Sequence, residues 1–403
     1  MAITSATTES AIIDAAAEPG DNRLFTSDFV LAMAANFANS LGMQMLIATL
    51  PLYVISLGGG QSAAGLVSGF LAFTALFFRP FMGWLTDAWR RRPLVLIGTS
   101  CYSLASVVYL LSGTIPVLLF GRLVHGFGLS CYSTAASAYV ADIAPPRRRG
   151  EAVGLFSATQ AIGLIMGPTI GFILIGEAGF HRLFYFSAGL AFIAFLISFF
   201  ARERRPSWQI RHQPWTLRTG IVSPDALPMA WMALCMGMGF GSVSAFISIF
   251  SRSRGLQNPG LYFMVQAIAL LVSRMLAGRV TDRHGRSATI VPGIIMIAIA
   301  QGLLPLAHSF FHFAISASLF GFGYGAAQPA TMALLIDRVR PEQRGLATGT
   351  YYAGFDVGIS LGSILLGVVS EMWGFGVMWP VSAACTLLGL AGFLRPRKPK
   401  PQP

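Results

Sequence analysis

The 403-residue chain is 54% hydrophobic and only 11% charged, with a mean hydropathy of +0.65. A soluble domain carries about 25% charged residues, so a water-soluble globule is excluded and a polytopic membrane protein is expected. The formal net charge of +12 would suit a nucleic-acid binder, but the basic residues sit in short loops between apolar runs, which is the positive-inside pattern.

Residues 1–26 are polar and acidic (Glu9, Asp14, Glu18, Asp21) and lack the basic start of a signal peptide, so they read as a soluble tail. Six apolar runs follow, at roughly 28–55, 62–85, 93–113, 115–143, 151–176 and 182–201, each near the ~20 residues that cross a hydrocarbon core. The second run leaves the membrane at Gly83 and is followed at once by Asp87, Arg90, Arg91 and Arg92. The loop Pro145-Pro146-Arg147-Arg148-Arg149-Gly150 breaks the chain between the fourth and fifth runs. An arginine-rich stretch, 202–226, is the one long internal linker, and six further runs lie at roughly 227–251, 259–281, 288–307, 311–336, 345–370 and 374–394. The expected domains are therefore a tail (1–26), a six-helix bundle (27–201), a linker (202–226), a second six-helix bundle (227–395) and a tail (396–403). Arginines crowd the tails, the linker and the loops after even-numbered runs, whereas the opposite face has Arg182, Arg252 and Arg254. That bias puts both termini and the linker in the cytoplasm. Cys101, Cys131, Cys235 and Cys385 are scattered through apolar runs and read as small buried hydrophobes. No HExxH, nucleophile elbow or P-loop is present, so an enzyme is not expected, and nor is a cofactor or bound metal.

The two bundles are copies. Arg79, Gly83, Thr86 and Asp87 recur 195 positions later as Arg274, Gly278, Thr281 and Asp282. The same offset takes Gly126 to Gly321, Asp142 to Asp337, Gly163 to Gly358 and Gly167 to Gly362. Six spans separate each pair, so the copies are parallel repeats related by an axis along the membrane normal.

On these residues the chain resembles a major facilitator superfamily transporter, specifically the 12-helix drug and metabolite proton antiporters. The family's loop motif, Gly-x-x-x-Asp-Arg-x-Gly-Arg-Arg, is met by Gly278, Asp282, Arg283, Gly285 and Arg286, with Ser287 at the last place. The first copy keeps Gly83, Asp87, Arg91 and Arg92 but has Ala88 for Arg and Arg90 for Gly. The resemblance implies that these residues form a cytoplasmic latch with the acids Asp142 and Asp337. The stretch Arg122-x-x-His125-Gly126-x-Gly128 is similar to the family's proton-linked motif, and Gly163-x-x-x-Gly167-Pro168-x-x-Gly171 to its antiporter motif. Glycines four apart also let helix backbones approach closely, so Gly163, Gly167, Pro168 and Gly171, with Gly358 and Gly362, are expected at helix contacts.

Among the acids, Asp356 lies deep in a span, about 16 Å past the start of the eleventh run at 1.5 Å per residue. Burial favours its protonated form and a nearby cation its carboxylate. Asp356 is thus the expected proton carrier, modulated by Arg122 or His125, with Arg122 as a possible cation partner and Arg274 less able to reach; binding of a cationic substrate or a structural hydrogen bond is the alternative. Asn36, Asn39, Gln44, Tyr132, Gln160, Gln266, Tyr324, Gln328 and Tyr352 are candidate cavity residues. A mostly apolar pocket with a few polar anchors suits a small amphipathic solute. The resulting expectation is an all-α membrane protein of twelve transmembrane helices in two parallel repeats. It would export a drug or metabolite by proton antiport as a monomer in the cytoplasmic membrane of a bacterium. Import of a sugar or other nutrient is the alternative.

Overall fold

The computed structural model describes residues 24–145, 148–176, 179–202, 223–256, 258–340 and 343–392, except for the side chains of Asp87 and Asp282. Among the described residues, twelve helices are long and apolar enough to cross a membrane. In the first half they are α1 (Ser27–Ser56), α2 (Gln61–Ala88), α3 (Arg91–Leu110), α4 (Ile115–Ile143), α5 (Arg149–Ile175) and α6 (Phe180–Phe200). In the second they are α7 (Leu227–Ser253), α8 (Gly260–His284), α9 (Ser287–Leu303), α10 (Phe310–Arg338), α11 (Arg344–Trp373) and α12 (Phe375–Leu387). Short 3₁₀ turns extend α9 through Leu306 and α12 through Gly392. Twelve crossings return the chain to the face on which it started, called here the terminal face. Outward-pointing residues such as Phe77, Phe120, Tyr185, Phe192 and Leu365 are exposed to the surroundings, as lipid-facing side chains are.

The sequence places the second helix's exit at Gly83, but α2 continues to Ala88, so the motif's Gly83 lies on its last turns. The two copies then end differently. At the end of α8, Gly285 caps the helix with φ +83°, a left-handed conformation that favours glycine. At the end of α2 the corresponding residue is Arg90, and the chain leaves through an extended Trp89 at φ −134°. A side chain at position 90 is compatible with that route and would be strained in the other.

Small residues set the spacing within each half. A Cβ on Gly167 would fall 2.7 Å from Gln44 Cβ, and one on Gly171 3.2 Å from Thr49 Cγ2, so α5 lies against α1. Gly163 meets Ser40 in the same seam. In the second half, Gly358 and Gly362 bring α11 onto the backbone of α7 at Leu234 and Met238. Pro168 lies inside α5, next to the Gly167 contact with α1.

Between the halves, α2 packs along α11, α5 along α8, and α1 against α7. Gly65 and Gly69 of α2 face the backbone oxygens of Ser363 and Ser360. Ser248 Oγ donates to the Ala48 carbonyl at 2.7 Å, and Thr169 Oγ1 to that of Gly260 at 3.2 Å. At the face opposite the termini, Ser62 N donates to Glu371 Oε2 at 2.6 Å, and Ser370 Oγ bonds Gln61 Oε1. The α2 N-terminus has no side-chain cap of its own, so a carboxylate from the other half supplies it. Towards the terminal face, Gly83, Gly154, Gly278 and Gly349 have no atom within 4 Å of a Cβ position. The seam is therefore tight away from the termini and loose at their end.

Candidate functional site

A cavity of about 230 Å³ lies between the halves. The first half contributes Met43, Gln44, Ile47, Leu71 and Pro168, and the second Phe240, Phe263, Gln266, Ile359 and Ser363. Two charged residues line it, Arg122 from α4 and Asp356 from α11.

Asp356 is buried, and its Oδ2 lies 3.2 Å from Arg79 Nη2 on α2. The cation partner is therefore neither Arg122 nor Arg274. It is Arg79, which the sequence marks as part of the repeat. Arg79 and Arg274 are related by the 195-residue offset, yet they differ in partner: Arg274 Nη2 donates to Gln328 Oε1 at 3.2 Å within its own half. The asymmetry follows from the sequence, because the position matching Asp356 in the first half is Ala161. The contact is not a well-directed hydrogen bond: Asp356 Oδ2 and Arg79 Nε have no hydrogen-bond partner among the described residues. A charge pair so poorly bonded gains little against its desolvation cost.

Arg122 is 1% exposed, and its guanidinium carbon lies 5.9 Å from the centroid of the Tyr109 ring. Its Nε and Nη1 have no hydrogen-bond partner among the described residues. His125, one turn on, points away from the cavity into the first half's core. There its Nδ1 is 3.2 Å from the Tyr109 hydroxyl and its ring lies edge-on to Tyr102.

Of the other sequence-predicted cavity residues, Gln44 and Gln266 line the cavity. Asn36 instead ties α1 to α5, donating to Phe156 O at 3.0 Å and Thr159 Oγ1 at 2.7 Å, and Tyr132 donates to its Oδ1 at 3.4 Å. Asn39 lines a small separate crevice with His125 and Tyr102. Gln160 is exposed, and Gln328 is engaged by Arg274. Tyr324 is buried in a cluster with Phe240, Phe320 and Phe355. Tyr352 is 37% exposed, edge-on to Tyr351. Polar residues on membrane helices thus divide between the cavity and helix-to-helix ties, and the sequence alone does not separate them.

At the terminal face, Arg91 Nε contacts Asp142 Oδ2 at 3.2 Å, and Arg286 Nε contacts Asp337 Oδ2 at 3.0 Å. Each residue of the first pair lies 195 positions before its counterpart in the second. Each pair lies within one half, between the residue that starts α3 or caps α9 and the end of α4 or α10. Arg92, next to Arg91, donates to the Phe199 carbonyl at 2.7 Å and covers that ring. Arg283 is exposed at the end of α8. The side chains of Asp87 and Asp282 lie outside the described residues.

Residues 32–272 and 258–403 match the profile of the Major Facilitator Superfamily. The chain belongs to that family. It is therefore a multi-pass membrane transporter. Among its relatives are the staphylopine export protein of Staphylococcus aureus (strain Mu50 / ATCC 700699), 24% identical over 88% of this chain and 92% of that one. Another is multidrug resistance protein 2 of Bacillus subtilis (strain 168), 23% identical over 85% and 89%. The fold is shared with the crystal structure of the nucleoside transporter NupG, with a TM-score of 0.78 at 16% identity over 92% of this chain and 100% of that one. It is also shared with a peptide transporter POT variant in complex with alafosfalin, with a TM-score of 0.74 at 12% identity over 90% and 93%.

Proposed function

We propose that this transporter exports a small amphipathic drug or metabolite from the cytoplasm in exchange for protons, by alternating access of the central cavity. The observation that carries the reading is the Arg79–Asp356 contact at 3.2 Å. It joins the two halves, it borders the cavity, and one of its members is titratable. Protonating Asp356 removes the negative charge that holds Arg79, so a proton-binding event and the loss of an inter-half contact become one step. A coupled carrier needs that identity between chemistry and movement.

The export direction draws support from the staphylopine and multidrug relatives. The largely apolar walls of the cavity favour an amphipathic solute over a sugar. In this reading the tight seam opposite the termini corresponds to a cavity accessible from the cytoplasm, with both termini on that side and the chain acting as a monomer. Arg91–Asp142 and Arg286–Asp337 would hold the terminal loops of each half rigid, so that Gly83, Asp87, Gly278 and Asp282 can form the latch when that side closes. His125, packed behind Arg122, would act by positioning and not by carrying the proton.

The test is an Asp356→Asn protein in liposomes carrying an imposed pH gradient. Proton-driven accumulation should fall at least tenfold, while exchange of substrate without a gradient persists. Undiminished accumulation against a gradient would remove Asp356 from the mechanism. Whole-cell accumulation of candidate solutes, with and without a protonophore, separates export from import: an exporter's cells should gain solute when the gradient collapses.

A further inference from the structure

We propose that the central cavity seats an anionic group of its substrate on Arg122, so that the carried class is amphipathic carboxylates. This rests on the reading above that the cavity is the substrate site, and adds what the site selects. Arg122 is buried, lines the cavity, and offers Nε and Nη1 with no hydrogen-bond partner among the described residues. No carboxylate pairs with it among the described residues: Asp356, the other charge on the wall, contacts Arg79. The Tyr109 ring at 5.9 Å favours the cation but supplies no acceptor to those two nitrogens. The Arg79–Asp356 pair is neutral overall, so the cavity carries one uncompensated positive charge.

A guanidinium held this way is costly in an apolar setting unless an anion completes it. Its planar fork matches the two oxygens of a carboxylate. Gln266 Oε1, contributed by the opposite half, is also buried with no hydrogen-bond partner among the described residues, and is free to take a donor from a ligand. The ligand that satisfies both has a carboxylate at one end and an N–H or O–H at the other, joined by an apolar body that lies along Ile47, Phe240 and Phe263. The offset maps Arg122 to Ala317, so the second half has no equivalent anion seat and the ligand binds in one orientation.

The experiment uses the purified full-length protein in detergent, with no gradient, and reads probe binding by calorimetry at neutral pH. It compares 1-naphthaleneacetic acid, its amide 1-naphthaleneacetamide, and inorganic phosphate alone. The acid should bind at least tenfold more tightly than the amide, and phosphate should not bind, because it gains nothing from the apolar walls. Arg122→Gln should abolish the preference for the acid, and Arg122→Lys should keep part of it, with size-exclusion profiles confirming that both variants are folded. Absence of any preference for the acid in the native protein overturns the proposal, as does phosphate binding as tightly as the acid, or a preference that survives in Arg122→Gln. Since binding is read without a gradient, failure here leaves proton coupling through Asp356 standing, and failure of the Asp356→Asn test leaves the anion seat standing.

Discussion

Replacing Gly69 by alanine puts a methyl group into the seam between the halves. Its Cβ would lie 2.8 Å from the Ser360 carbonyl oxygen and 2.9 Å from Ile364 Cγ1. The isoleucine can change rotamer, but the carbonyl belongs to the α11 backbone. Relief therefore requires α2 and α11 to move apart by roughly half an ångström, from a clash to ordinary van der Waals contact. Overpacking of this kind costs about 1–3 kcal/mol. The cost falls on the conformation in which the seam is closed and vanishes once the two helices separate. The equilibrium between conformations should then shift about 5- to 150-fold toward the one open at the face opposite the termini. The assay is the distance between spin labels at positions 56 and 372, where α1 and α11 reach that face, in a background with the four cysteines replaced by serine. The Gly69→Ala distribution should move to longer distances. Gly83→Ala, on the same helix with no atom within 4 Å of its Cβ position, should not produce that lengthening. An unchanged distribution in Gly69→Ala refutes the reasoning that this seam opens during the cycle.

Asn36→Ala removes two donated hydrogen bonds and leaves the buried Tyr132 hydroxyl without its acceptor; it should lower the stability of the first bundle by about 1–3 kcal/mol, read as a fall in the thermal midpoint in detergent. The two terminal-face ion pairs should respond unequally. The side chains of Arg91 and Asp142 are 9% and 30% exposed, against 32% and 53% for Arg286 and Asp337, so solvent screens the second pair more. Asp142→Asn should therefore lower the thermal midpoint measurably and Asp337→Asn little, while the exchanged pair Arg286→Asp with Asp337→Arg should match the native protein. An equal loss from both single substitutions would contradict the assigned difference in burial.

The order of spans, their duplication and the terminal-face charges were legible along the chain because each has a one-dimensional signature. An apolar run of membrane length, a repeat at fixed offset and an arginine-rich loop need no knowledge of packing. The offset also relates Arg91 and Asp142 to Arg286 and Asp337, and a pair held within one half recurs in its copy. The helix ends were less legible: α2 runs past Gly83, because motif residues that favour a cytoplasmic loop can still continue a helix. The site depended on helix rotation and on contacts between halves, and the repeat is silent on both. Asp356 and Arg122 have no counterparts in the other half, so no internal comparison pointed from Asp356 to Arg79. Asn36 and Gln44 lie on one helix and look alike in sequence, yet one ties α1 to α5 and the other lines the cavity. A membrane helix can direct apolar side chains to lipid and to neighbouring helices alike, so its periodicity does not say which face looks inward. The sequence by itself thus determined what crosses the membrane and how often; only the tertiary structure decided which buried charges meet across the seam, because that depends on how two similar halves are set against each other.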